Sequence, residues 1–260
     1  MTWFCPIVRG RLYGFIKDER YVDVILTFDN GTRIPCHRCV LASCSDYFDT
    51  MFSDRFKESG EKEIKLPDVS SAMMSLAIEF VYTGRLTSTY EHFFELLLVA
   101  NKYELKELEV AIMERLFKIL KDRGGFEKTL AAEDCDRLIA DFYVEVVNFA
   151  YRYSVLAESL YVPDTPGLTL KKYVHERIRR THGGPMEDPW WLLSSNDLHY
   201  MDSDTFLDLL AESAVTDFSP IEAFTLAFIW LKQLRLQEGP ISLAESPAFA
   251  LLPQLLKELR

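Results

Sequence analysis

Apolar positions alternate from residue 24, with Val24, Leu26 and Phe28 on one side, the period-two signature of a half-buried strand. The alternation breaks at Asn30-Gly31, the favoured two-residue hairpin turn, because both residues tolerate positive φ. A second strand is predicted from Thr32 to His37, with Ile34 and Cys36 sharing a face. The spacing then turns helical: Val40 and Leu41, a small-residue turn from Leu41 to Ser45, then Tyr47, Phe48, Met51 and Phe52. Ahead of the hairpin, residues 9–17 form an amphipathic helix whose apolar side carries Leu12, Tyr13, Phe15 and Ile16. Such a stripe must be buried, against its own domain or a second copy.

A polar stretch, Ser53 to Gly60, is interrupted by Phe56 alone. Ile64-Lys65-Leu66 then reads as a third strand, stopped by Pro67. Asp68 or Ser70 can cap the next helix, which carries Met73, Leu76, Ala77, Phe80 and Val81 inward and ends at Gly84. Two further helices are predicted, Thr89–Leu105 (Phe93, Leu96, Leu97 and Ala100 inward) and Leu105–Leu120 (Leu108, Ile112, Leu116 and Ile119). A small sheet followed by a helical cluster defines an α+β domain over 1–120.

Beyond Phe126 no stretch alternates convincingly. Helices are predicted from Leu138 to Ala157, from Thr169 to Arg180 with Arg177, Arg179 and Arg180 at the end that suits the dipole, through Phe206, Leu209 and Leu210, and over about Pro247–Leu259. The sharpest helix start is Ser219-Pro220-Ile221-Glu222, a cap, a first-position proline and a reciprocal carboxylate. Residues 121–260 are therefore expected to be all-α. Loops are expected at Val162–Gly167 and from His182 to Pro189.

Composition narrows the class. The 260 residues are 48% hydrophobic and 27% charged, the balance of a globular protein, and suffice for two ordinary domains. A net charge of −11 argues against nucleic acid, whose phosphates need a basic surface. No apolar run reaches the roughly 18 residues of a membrane span. The opening MTWFCPIVRGR lacks the marks of a signal peptide, and five cysteines make no disulfide framework. These point to a reducing compartment, cytoplasm or nucleus, with no membrane partner.

The motifs then converge on a family. Asp23-Val24, His37, Val40-Leu41-Ala42-Ser43, Tyr47-Phe48, Met51-Phe52, Phe80-Val81-Tyr82-Thr83-Gly84 and Ala100-Asn101-Lys102-Tyr103 together resemble the BTB/POZ pattern over about residues 9–120. The resemblance implies a BTB fold, dimerisation through the N-terminal helix (Leu12, Tyr13, Phe15, Ile16), and a binding module that commonly joins cullin-3 ubiquitin ligase to a substrate. The C-terminal half resembles the BACK domain of Kelch-like adaptors at Val144–Leu160, where Ala150 and Tyr153 match, and at Leu198–Lys232, with Glu222 and Trp230. Residues 162–197, including Trp190-Trp191, depart from that pattern and look like insertions, the tryptophans being buried anchors or an exposed patch. No Kelch propeller, MATH domain or zinc finger follows, so the usual source of substrate specificity is expected to be absent or replaced, and the substrate itself is unnamed.

Phe56-Lys57-Glu58 falls where cullin-3-binding BTB proteins carry a hydrophobe, any residue and a glutamate. An exposed aromatic beside a carboxylate supplies an apolar anchor and a directional contact. The competing reading folds Phe56 onto the core and leaves Glu58 solvated. By the same resemblance Tyr47 and Tyr103 border the cullin-3 surface, and the competing reading, which is preferred, makes both partly core. Cys36-His37-Arg38-Cys39, with Cys44 nearby, is the one cluster hinting at metal or redox chemistry. A closed zinc site needs four ligands and a redox Cys-x-x-Cys opens a thioredoxin-like helix, neither of which this pattern offers. Cys36 and Cys39 are thus packing residues first and reactive thiols second; no metal and no cofactor are expected. No nucleophile elbow, phosphate loop or dinucleotide fingerprint is present, so the chain is not expected to be an enzyme. The expected function is a homodimeric adaptor recruiting a protein substrate to cullin-3; the alternative is a BTB scaffold or transcription-associated dimer that does not bind cullin-3.

Overall fold

The structure is a computed structural model that describes residues 6–53, 56–121, 142 and 145–181. The chain divides into two compact units, Met1–Lys118 and Ile119–Arg260.

The first unit begins with helix α1, Pro6–Lys17, three residues earlier than the spacing predicts. Proline at its first position loses no helical hydrogen bond and presets φ. The helix packs on α4 (Ser71–Thr83) of its own chain; Ile16 is buried, while Leu12, Tyr13 and Phe15 are half-buried. Its end is a Schellman turn: the Arg20 amide donates to the Phe15 carbonyl (2.8 Å) and the Glu19 amide to the Ile16 carbonyl (3.2 Å). Glu19 occupies the left-handed position (φ 51°) where glycine is usual, and the Arg20 guanidinium lies over the Phe15 ring at 5.0 Å.

Strands β1 (Val24–Thr27), β2 (Arg33–Cys36) and β3 (Glu63–Lys65) form one sheet in the order β2-β1-β3. β1 pairs antiparallel with β2, setting Val24 opposite Cys36 and Leu26 opposite Ile34, and parallel with β3, setting Leu26 opposite Ile64. The predicted two-residue turn is instead a three-residue loop, Asp29-Asn30-Gly31. The Phe28 amide still donates to Thr32, the Gly31 amide donates to Phe28, and of the Asn30-Gly31 pair only Gly31 takes positive φ (80°). The reason lies in the Asn30 side chain, which accepts from the Thr32 amide (3.0 Å) and donates to Ser71 (2.8 Å), closing the turn without positive φ at Asn30 itself. Pro35 occupies a non-hydrogen-bonded position of β2: Ile25 and Thr27 of β1 direct their backbone groups to the β3 side, so Pro35, opposite Ile25, faces away from β1 and the ladder loses nothing.

Helices α2 (Arg38–Cys44) and α3 (Asp46–Phe52) follow, broken at Ser45, whose backbone is extended. A short 3-10 turn, Lys57–Gly60, leads to β3. In α4 the cap is Ser70, accepting from the Met73 amide, whereas Asp68 is left-handed and caps nothing. Its buried residues are Met73, Met74, Ala77, Ile78, Val81 and Tyr82; Leu76 and Phe80, expected inside, are half-buried. Gly84 ends the helix at φ 66°, and a Cβ there would sit 1.6 Å from the Arg9 guanidinium. Helices α5 (Phe93–Lys102) and α6 (Lys106–Lys121, its last residues past the end of the unit) follow; the first turn expected for α5 is a 3-10 turn, Tyr90–His92.

Within this unit His37 is fully coordinated. Its backbone amide donates to the Tyr82 hydroxyl (2.9 Å), its Nδ1 accepts from that hydroxyl (2.9 Å), and its Nε2–H donates to the Arg20 carbonyl (2.8 Å). The carbonyl can only accept, which assigns the proton to Nε2. Tyr82 and His37 are both buried, so this bond set ties α4 to the start of α2 and to the turn after α1.

In the second unit, residues 145–152 are helical, the chain turns at Tyr153, and α7 (Ser154–Ser159) follows, so the single helix expected from Leu138 to Ala157 is broken. Val162–Gly167 is the expected loop, closed by a bridge between Tyr161 and Thr169, and α8 spans Leu170–Thr181. Phe142, Val146, Val147, Ala150, Tyr151, Leu160, Leu170 and Val174 are buried. Leu138, Trp190-Trp191 and the helices expected around Phe206, Ser219–Glu222 and Pro247–Leu259 lie outside the described residues.

Tyr82→Phe leaves the His37 amide and Nδ1 without a partner and should destabilise the first unit by about 1–3 kcal/mol. Glu19→Gly relieves the left-handed strain and should raise stability by about 1 kcal/mol. Urea unfolding followed by far-ultraviolet circular dichroism reads both, with opposite signs.

Candidate protein-interaction surface

The predicted site residues gather around α3. Ser45 is buried, and its hydroxyl both accepts from the Phe48 amide (3.0 Å), capping α3, and donates to the Tyr103 carbonyl at the end of α5 (2.6 Å). Above this pin the rings stack. Phe52 lies on Phe48 (5.8 Å, 22°), Phe48 lies on Tyr103 (5.6 Å, 6°), and Tyr47 meets Tyr103 edge-on (5.1 Å, 89°). Offset and edge-on pairs of this kind contribute about 0.5–1.5 kcal/mol each beyond their buried area. Sequence spacing identified the rings but passed over Ser45; the available signal was a serine immediately before a helical run, the usual mark of a cap.

Phe56 follows α3 with 46% of its surface exposed. Its amide donates to Ser53 and its carbonyl accepts from Ser59, so its own backbone is bonded in both directions while nearly half of the residue stays open to water. An exposed phenylalanine retains its hydrophobic cost, which is the property of a binding anchor. Glu58 belongs to the following turn; its side chain lies outside the described residues. Tyr47, on α3, is half-buried. Tyr103, expected to border the same surface, is 1% exposed, and burial, then the neighbouring Tyr47, pushes its phenol up to about 12. Its side chain offers no area to a partner; it is the floor under Tyr47 and Phe48.

The α1 residues expected at a dimer interface divide. Ile16 is spent on the core of its own domain, Phe15 meets Tyr21 edge-on at 5.2 Å, and Tyr13 lies beneath the Lys17 ammonium at 4.6 Å.

The cysteines separate by environment. Cys36 is fully buried opposite Val24, and burial, reinforced by the Asp23 charge, pushes its thiol far above the ordinary range. A thiol so displaced stays protonated at neutral pH and is no nucleophile, so of the two candidate reactive thiols Cys36 is corrected to a packing residue. Cys39 is exposed. Cys44 lines a cavity of about 380 Å³ with Arg9, Phe80, Leu105 and Glu107, and burial raises its thiol too. Among the described residues no three His, Cys, Asp or Glu side chains group closely enough to hold a metal. Both His37 ring nitrogens are already bonded. No helix among the described residues is long and apolar enough to cross a membrane.

Residues 12–119 match the BTB/POZ domain family model. Kelch-like protein 40 of Xenopus laevis is 30% identical over 157 residues, 58% of this chain and 25% of that protein. Kelch repeat and BTB domain-containing protein 2 of Homo sapiens is 37% identical over 129 residues, 48% of this chain and 18% of that protein. A BTB/POZ domain-containing protein of Arabidopsis thaliana is 28% identical over 189 residues, 68% of this chain and 90% of that protein. The solved BTB domain of zebrafish PATZ1 is 27% identical and covers 45% of this chain and 98% of its own, with a TM-score of 0.39, too low to bear on the fold. This chain thus spans a quarter or less of the Kelch-containing relatives' length. Residues 12–119 are a BTB/POZ domain, and the chain is similar to Kelch-like and other BTB/POZ proteins.

Alkylation of the native protein with iodoacetamide, mapped by mass spectrometry, should modify Cys39 readily and leave Cys36 unlabelled until the domain is unfolded. Equal labelling of the two would contradict the burial of Cys36.

Proposed function

We propose that the protein is a homodimeric adaptor that recruits a protein substrate to a cullin-3 RING ubiquitin ligase, with no covalent chemistry on its own chain. The observation that carries this reading is the exposed ring of Phe56 on a backbone turn directly after α3, in the hydrophobe-x-Glu spacing completed by Glu58. Tyr47 of α3, which rests edge-on against Tyr103, would widen that surface. The half-buried Leu12, Tyr13 and Phe15 of α1 would meet the second copy. The second unit, whose described residues include helical 145–152, α7 and α8, would act as the BACK-like companion that extends the cullin contact and presents the substrate, in the cytoplasm or nucleus. Catalysis by such an adaptor is proximity: it raises the local concentration of substrate beside the ligase, and two-fold symmetry adds avidity.

The second reading, a BTB scaffold or transcription-associated dimer without cullin-3, is favoured by one comparison. The chain covers 90% of a plant BTB/POZ protein but only 25% of the Kelch-like one.

Phe56→Ala with Glu58→Ala should abolish binding to a cullin-3 N-terminal fragment in calorimetric titration while leaving the free energy of unfolding within about 0.5 kcal/mol of wild type, as for surface substitutions. Unchanged affinity would sink the cullin-3 reading and leave the scaffold.

A further inference from the structure

Arg38, the first residue of α2, touches both ends of the stretch that carries Phe56 and Glu58. Its guanidinium carbon lies 4.8 Å over the ring of Phe52, the last residue of α3. One Nη2 of the same guanidinium donates to the carbonyl of Glu61, just past the Lys57–Gly60 turn. Its Nε donates to the Asp23 carbonyl at 3.5 Å, and its backbone amide donates to the Asp23 carboxylate at 2.8 Å. Asp23 therefore fixes Arg38 at the mouth of β1, and Arg38 in turn joins the residue before the turn to the residue after it.

A planar guanidinium is the one basic group suited to this. It lies flat on an aromatic face while donating in its own plane to separate carbonyls, whereas an ammonium is a point charge without that fork. The Phe52 ring under Arg38 is itself stacked on Phe48, so the clamp is anchored to the buried column and not to a mobile side chain.

We propose that Arg38 is the positioning residue of the interaction surface: it holds the Phe56 turn closed between Phe52 and Glu61, so that the exposed ring meets its partner already ordered. The partner part of this inference rests on the reading of Phe56 and Glu58 as the cullin-3 contact. The clamp itself does not. Order present before binding need not be created during it, so its loss lowers affinity without removing a contact.

The test compares the full chain with Arg38→Lys and Arg38→Ala. Amide hydrogen exchange is followed at Phe56 and Ser59, whose amides donate within the turn, and affinity for a cullin-3 N-terminal fragment is titrated. In both variants the two amides should exchange about tenfold faster or more while α4 and α5 keep their protection, and affinity should fall about tenfold. Wild-type exchange at Phe56 and Ser59 overturns the proposal. So does equal acceleration in α4 and α5, which would make Arg38 a general staple of the fold. Full rescue by lysine overturns it too, since charge alone would then suffice, and faster exchange with undiminished affinity removes the consequence for binding. If wild type binds no cullin-3, the partner reading fails separately and the amide rates still decide whether Arg38 holds the turn.

Discussion

The BTB domain depends on one buried serine. Ser45 interrupts what would otherwise be a single helix, caps the second part of it and hands its proton to the carbonyl of Tyr103. Capping a helix is worth about 1 kcal/mol on its own. Here the same hydroxyl also satisfies a carbonyl at the end of α5, so α3 is oriented by a bond to a helix more than fifty residues away in the chain. The column Phe52–Phe48–Tyr103 then forms because α3 is held at that angle. Phe56 emerges from its end.

A second polar knot works at a distance from the first. The Tyr82 hydroxyl accepts from the His37 amide and donates to its Nδ1, and the remaining imidazole nitrogen is bonded to the turn after α1. Buried polar groups of this kind are costly when half satisfied and specific when complete. The two knots divide the labour. One sets the sheet and α1 against α4; the other sets α3 against α5.

Much of this domain was legible from residue spacing because its period changes are abrupt. The alternation through Val24, Leu26 and Phe28 has no helical interpretation, and Gly84 punctuates α4 where a left-handed residue is needed. The errors arise where side-chain chemistry overrides pattern. Asn30 closes its turn with a carboxamide and so avoids the positive φ that the Asn-Gly pair suggests. Leu76 and Phe80 share the spacing of the α4 core yet are half-buried, because helical periodicity gives a stripe without giving its centre. Tyr103, for which resemblance suggests a border position and the competing reading a place partly in the core, is the floor of the column. Ser45 and Arg38 carry no periodic signal; their importance comes from contacts made across 58 residues in one case and 23 in the other.

Pro35 bears on how this protein behaves in a crowded solution. β2 is an edge strand, and its outward backbone positions include one that has no N–H to offer. A strand arriving from another molecule would find a gap in the row of donors it must pair with. On that side the sheet is a poor template for open-ended growth, because the backbone itself interrupts the row of donors, two residues from the exposed charge of Arg33. The protection is free of cost to the fold, since the missing donor lies on the side of the strand that the native ladder never uses.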